Sequence, residues 1–136
     1  MSTRTNLLLA SLFLAIIFTL LQISAHYFYF YWIYWWFDWV MHFLAGVTGG
    51  IAGYWVLYYG EFFENRSDKV FVLTMSVLSC VMFSGVVWEI LEYVLGLTQA
   101  HENMYVQDVF NDFVSNAAGA FLGIFISLKA TIYRNV

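Results

Sequence analysis

The chain contains no proline, a single cysteine and few charged residues. Only 10% of its 136 residues are charged and 62% are hydrophobic, which excludes a water-soluble domain of this size. Without proline there is no proline-broken half-helix, which counts against a transporter built on discontinuous helices. Cys80 has no cysteine partner within the chain, so no intramolecular disulfide can form. The sequence predicts a small integral membrane protein, and we expect no nucleic-acid partner.

Four apolar segments are long enough to cross about 30 Å of hydrocarbon at about 1.5 Å per residue. In chain order, the first to fourth predicted helices are Asn6–Ser24, Phe37–Tyr59, Val70–Leu97 and Asp108–Leu128. The predicted fold is an all-α four-helix transmembrane bundle that forms one domain over residues 1–136. The first segment resembles a signal peptide, but it is longer than the usual apolar region and Ile23 is unfavourable before a cleavage site. We therefore expect it to be retained.

All basic residues fall on one side of this bundle: Arg4, Arg66, Lys69, Lys129 and Arg134. The positive-inside rule therefore predicts that both termini and the loop between the second and third helices are cytoplasmic. We expect the protein to lie in the plasma (inner) membrane. The other side has no Lys or Arg and carries Asp38, Glu89, Glu92, Glu102, Asp108 and Asp112.

The fourth predicted helix combines polar residues with a membrane-spanning length. At about 100° per residue one face collects Asp108, Asn111, Asp112, Ser115, Asn116, Gly119 and Gly123. The other side, which we expect to face lipid, consists of Val109, Phe110, Phe113, Phe121, Ile124 and Phe125. Ionisable residues in a membrane span indicate a functional site by default.

The second and third predicted helices also have polar outer ends. Asp38 and His42 begin the second helix one turn apart, and the same face continues with Ala45, Gly46, Gly49 and Gly53. Glu89 and Glu92 lie on adjacent turns near the end of the third helix. Glu89 is deep enough that it must face the bundle, be protonated, or both.

An offset of seventy residues overlays the second helix on the fourth. Asp38 then matches Asp108, His42 matches Asp112, and Gly49 and Gly53 match Gly119 and Gly123. This pattern predicts two helical hairpins in parallel repeat. The two polar pairs would then meet near the outer surface, with Glu89 and Glu92 between them.

The loop before the second helix is dominated by aromatic residues, which occupy eleven of the thirteen positions from Tyr27 to Trp39. One interpretation is an aromatic belt at the membrane interface. The other is a platform that holds a lipid, polyprenyl or sugar group over the acidic site. The candidate substrate-binding residues are Trp35, Trp36, Trp39 and Trp88.

Several buried carboxylates without a basic partner must be protonated or must bind a cation. Three functions follow from this requirement. A divalent cation held by His42 and carboxylates could polarise a phosphoryl or acyl group or activate water. Carboxyl groups sharing protons with His42 could act as acid and base or relay protons. The acids could also bind a cationic or hydrogen-bonding ligand without chemistry.

Three motifs together resemble the VanZ-like families of small membrane proteins, and in particular the YjdF-type inner-membrane family, over roughly residues 37–123. They are Asp38-x-x-x-His42-Phe, Glu89-x-x-Glu92 and Asp108-x-x-x-Asp112-x-x-x-Asn116-x-x-Gly119. The resemblance implies a fold type and an envelope-facing site; VanZ-like proteins are associated with reduced susceptibility to glycopeptide antibiotics. This chain lacks the basic residue that the VanZ pattern has beside the acidic group before the last helix. An anionic substrate would therefore need a metal to supply positive charge.

The leading hypothesis is a divalent metal site that binds, or acts on, a membrane lipid or lipid-linked envelope precursor. The metal-ligand candidates are Asp38, His42, Glu92 and Asp112. The catalytic candidates are Glu89 as proton carrier, Asp108, and Asn116 as an orienting hydrogen-bond donor, with His101 as a further member of the site.

Two alternatives stay open. One is a non-catalytic envelope-binding resistance factor or assembly scaffold. The other is a proton or cation relay, which the apolar cytoplasmic halves of the first and third helices disfavour. Whether the protein is an enzyme also stays open. Four short helices leave little room for a closed pocket, so a homo-oligomer is a candidate assembly.

Overall fold

The structure is a computed structural model and describes residues 2–60, 70–96 and 105–132. Its helices are α1 (Thr3–Tyr27), α2 (Phe30–Ile33), α3 (Phe37–Tyr59), α4 (Val70–Leu95) and α5 (Tyr105–Ile132). Helices α1, α3, α4 and α5 are long and apolar enough to cross a membrane, and the described ranges contain no strand. The prediction of an all-α integral membrane protein with four transmembrane helices is confirmed.

Helices α1 and α5 extend beyond their predicted segments at both ends, whereas α3 has the predicted bounds and α4 ends at Leu95, before its predicted end. Helix α1 starts earlier than predicted because Ser2 caps it, its side chain accepting a hydrogen bond from the Thr5 backbone N–H at 3.1 Å. After α1, Tyr29 takes a left-handed backbone conformation with φ of 60°. The chain then forms the single turn of α2, which the sequence interpretation treated as loop, and enters α3.

Helices α3 and α5 form the centre of the bundle, with their backbones in direct contact. Gly46 lies against the Asn116 carbonyl, Gly119 lies against the Phe43 carbonyl, and a Cβ on Gly50 would come within 2.6 Å of the Ala120 oxygen. Because the contact points advance together along both helices, α3 and α5 run parallel. Only glycine permits this separation, since any Cβ would overlap backbone atoms.

The other two long helices pack around this pair. Helix α1 packs mainly on α3, and α4 packs on both α3 and α5. Gly49 and Gly53 face α4, where Val81 and Val77 lie against them. Their counterparts in the seventy-residue overlay, Gly119 and Gly123, face α3 instead. The overlay therefore matches the direction of the two helices but not the packing of these glycines.

The surface of α5 follows the predicted division only in part, since Phe113, predicted to face lipid, is half-buried beside Gly85 of α4. Phe110, Phe121 and Phe125 are exposed, as expected for lipid-facing residues. Ile124 is 2% exposed, so its assignment to the lipid side is wrong. Its side chain joins the apolar core with Val47 and Ile51, because α5 contacts α1 and α4 as well as α3 and so buries a wider face than its polar residues mark.

Candidate functional site

The polar ends of three helices meet at the end of the bundle that carries α2. Helix α3 begins there, α4 ends there and α5 begins there, so their terminal turns lie at one level. The side chains brought together, called the acidic cluster below, are Asp38, His42, Glu89, Glu92 and Asp112. All are buried except Asp38, which is partly buried.

His42 lies at the centre of the acidic cluster. Its Nε2 atom is 3.5 Å from Asp38 Oδ1, one turn earlier on α3, and 3.6 Å from Glu89 Oε1 on α4. Both distances exceed those of good hydrogen bonds, so the atoms are adjacent without being tightly bonded. His42 belongs to two groups of candidate metal ligands, one with Asp38 and Asp112 and one with Glu89 and Glu92. Within each group the ligand atoms lie within 4.8 Å of one another.

Several buried oxygen atoms of this region lack a hydrogen-bond partner. They are Glu89 Oε1, Asp112 Oδ1 and Asn116 Oδ1. Buried polar atoms are nearly always paired, so each of these oxygens calls for a proton, a water molecule or a cation beside it. Asn116 lies one turn beyond Asp112 on α5, and its Nδ2 atom donates to the Val81 carbonyl at 3.5 Å.

Among the described residues, no lysine or arginine neutralises the acidic cluster. Arg4 lies over the Trp55 ring and Lys129 over the Phe125 ring, both at the opposite end of the bundle. Four carboxyl groups in a buried setting are costly as anions unless protons or a cation compensate the charge. The cluster therefore carries bound protons, a bound cation, or both.

The donor set fits a hard or borderline divalent cation. Carboxylate oxygens with one imidazole suit magnesium, manganese, iron or zinc. Ligand atoms about 2.1 Å from one ion lie roughly 3–4 Å apart, so either group needs side-chain movements of less than about 1 Å to enclose an ion.

A cavity of about 340 Å³ adjoins the cluster. Asp38 and His42 form part of its wall, together with Asn116, Gln22 and Tyr31. Gln22 and Tyr31 are not among the predicted site residues. The signal in the sequence is Gln22, a polar residue near the end of an otherwise apolar helix.

The Tyr31 hydroxyl donates a hydrogen bond to Gln22 Oε1 at 2.5 Å. Burial, reinforced by the nearby Asp38 carboxyl, raises the pKa of the Tyr31 phenol, which therefore remains a neutral hydrogen-bond donor at physiological pH. Because the hydroxyl hydrogen is donated to Gln22, the Tyr31 oxygen at this end of the cavity is left to accept a hydrogen bond from a ligand.

Residues 3–132 match the model of a protein family described as "Predicted membrane protein (DUF2238)". The chain belongs to this family. No curated protein and no solved structure matches it. The DUF2238 match confirms a membrane protein family but carries neither the VanZ-like nor the YjdF-type name, and its description gives no activity.

The remaining site predictions fall at different places in this DUF2238 protein. Trp88 lines the cavity and is a hydrogen-bond partner of Glu92. Trp35 and Trp36 are exposed, and neither they nor Trp39 line the cavity. Asp108 is exposed one turn before Asp112 and belongs to neither ligand group. His101 lies outside the described residues.

Proposed function

We propose that this protein binds a divalent cation in the acidic cluster and, through that cation, binds the anionic headgroup of an envelope lipid or lipid-linked precursor. The observation that carries the proposal is the position of His42 between two groups of buried carboxylates, with no described lysine or arginine nearby. His42 and Asp112 are the direct ligands we assign with most weight, with Asp38 and Glu92 completing the set.

An anionic headgroup can bind at the acidic cluster only when a cation is bound there too. A phosphate or carboxylate approaching four carboxyl groups is repelled unless positive charge lies between them. A divalent ion supplies that charge and leaves coordination positions open to the ligand, as catalytic and substrate-binding metal sites do.

The position of the acidic cluster relative to the membrane supports a lipid as the ligand. The cluster sits at the end of three membrane-spanning helices, and the adjoining cavity runs into the span. Arg4 and Lys129 occupy the opposite end, so the positive-inside rule directs the acidic cluster towards the outside of the plasma membrane. Lipid headgroups and lipid-linked precursors are the anionic molecules that reach such a depth.

The same arrangement permits chemistry as well as binding. A bound divalent ion would polarise a phosphoryl or acyl oxygen, and Glu89, 3.6 Å from His42, would accept or donate a proton beside it. Asn116, deeper along α5, would orient the ligand by hydrogen bonding. Binding without turnover uses the same residues, so the metal is the feature to test first.

The test is the metal content of the detergent-purified protein, measured by elemental analysis beside thermal unfolding with and without chelator. We expect near-stoichiometric metal in the wild type and its loss in His42→Gln and Asp112→Asn. His26→Gln is the matched control, because His26 lies on α1 outside both ligand groups and should leave the metal in place. A wild type without metal that magnesium, manganese, iron and zinc all fail to stabilise would overturn the proposal and leave the carboxyl groups protonated.

A further inference from the structure

The cavity beside the acidic cluster is elongated along α3. Asp38 lines its polar end and Gly53 lines its other end. These residues are fifteen positions apart on one helix, which corresponds to about 22 Å at 1.5 Å per residue. Between them Ala45 and Gly49 form a wall without bulky side chains. The cavity is therefore an elongated groove along α3 rather than a round pocket.

The groove opens at the surface of the membrane-spanning region. Phe18 of α1 lines one side, and Cys80 and Ser84 of α4 line the other. Both α4 residues are exposed and lie within the span Val70–Leu95. Outside this opening is lipid hydrocarbon, because the bilayer core contains nothing else at that depth. A hydrocarbon chain can thus enter sideways from the membrane.

Asn116 gives the groove a polar feature that a plain packing defect would lack. Its side chain is 4% exposed, lines the groove, and has an amide oxygen without a hydrogen-bond partner. Asn116 lies against Gly46, which is four residues, or about 6 Å, deeper along α3 than His42. A ligand that fills this place should bring an O–H or N–H group at that depth, just below its head.

We propose that the groove holds one hydrocarbon chain of an anionic amphiphile, whose head binds at His42 and whose neighbouring hydroxyl or amide group donates to Asn116. This inference rests on the proposed function, because the head requires the bound cation. The implied ligand class is a lipid with a phosphate head, a hydroxyl or amide group within two carbons of the phosphate, and one chain that separates from the bilayer.

Native mass spectrometry of the full chain in a nonionic detergent tests the proposal. The probes are 1-palmitoyl lysophosphatidic acid, hexadecyl phosphate and hexadecyl phosphocholine, each with magnesium or with chelator. We expect one lysophosphatidic acid per chain, retained at least tenfold better than the phosphocholine, and released by chelator. Hexadecyl phosphate lacks the hydroxyl, so it should bind to the wild type several-fold more weakly than lysophosphatidic acid does. In Asn116→Leu the two ligands should bind equally well.

Variants that fill the groove separate this inference from the metal site. Ala45→Phe and Ser84→Phe project from opposite walls, and each should abolish retention while leaving the metal content unchanged. Ala118→Phe is the matched control, because Ala118 is exposed on α5 and does not line the groove. Retention of lysophosphatidic acid by both filled variants, or equal binding of the phosphocholine with chelator present, overturns the inference. Bound metal with no retained amphiphile would overturn it too and leave the metal site standing.

Discussion

At the scale of single residues, the carboxyl groups of the acidic cluster lower the stability of the fold but provide ligands for a cation. Asp112 is 2% exposed, and its Oδ1 atom has no hydrogen-bond partner. Without a cation, such a carboxyl group must hold a proton or bear unpaired charge, and both states are unfavourable in a buried site. Residues of this kind persist at functional sites because the cost is recovered when the ligand binds.

Replacing Asp112 with asparagine should separate these two effects. In chelator, Asp112→Asn should stabilise the fold by about 1–2 kcal/mol, because the amide keeps the shape and removes a buried ionisable group. With added manganese, the wild type should gain stability and the variant should not, since one ligand is missing. Thermal unfolding in detergent under both conditions gives the comparison.

Asp108→Asn is the companion variant for the chelator measurement. Asp108 is exposed on the preceding turn of α5, so water already solvates its carboxylate. Its neutralisation removes a neighbouring negative charge but no buried one, so it should change the stability in chelator less than Asp112→Asn does. Equal stabilisation by the two variants would show that general charge repulsion, and not burial at Asp112, is responsible.

At the scale of helices, the sequence predicted which segments form helices better than it predicted which side of each helix is buried. The four spans followed from uninterrupted apolar length, and Asp38 with His42 followed from a spacing of one turn. The buried side was harder to predict because most side chains on every side of these helices are apolar. Nothing in the sequence therefore marks Ile124 as buried. Likewise Trp35 and Trp88 look alike in sequence, yet only Trp88 lines the cavity. That difference depends on how α1 and α4 sit around α3, which local patterns do not encode.

The contact between α3 and α5 makes a sharper prediction about helix packing. In Gly119→Ala the new methyl group would overlap the Phe43 carbonyl on α3, and a backbone atom cannot rotate away. Alanine favours an isolated helix by about 1 kcal/mol over glycine, but overpacking costs about 1–3 kcal/mol and here meets rigid backbone. We expect net destabilisation, measured as a lower unfolding temperature and loss of monodisperse protein.

Gly49→Ala provides the matched comparison within the same bundle. A Cβ at Gly49 would approach Val81 Cγ2 at 3.1 Å, and that side chain can shift by a few tenths of an ångström. The gain in helix propensity should then offset most of the strain, so the unfolding temperature should stay close to that of the wild type. If Gly49→Ala proves as damaging as Gly119→Ala, the close approach of α3 to α5 is not what distinguishes the two sites.

At the scale of the whole molecule, charge divides the bundle into two unlike ends. One end carries the acidic cluster, the polar part of the groove and exposed aromatic residues such as Trp35. The other end carries Arg4 and Lys129, each over an aromatic ring, and a buried hydrogen bond from the Tyr54 hydroxyl to Thr131. The acidic cluster therefore lies at one face of the membrane, and the lipids of that leaflet are the ones that it can bind.

The positive-inside rule predicts that the acidic cluster faces outwards, and cysteine labelling can test this. In a Cys80→Ala background, Tyr27→Cys and Ser2→Cys introduce single thiols at exposed positions on opposite ends of α1. A membrane-impermeant maleimide should label Tyr27→Cys in intact cells and Ser2→Cys only after permeabilisation, while the background stays unlabelled. The reverse pattern would place the acidic cluster at the cytoplasmic face of the membrane. It would contradict both the predicted orientation and a ligand that reaches the cluster from the outer leaflet.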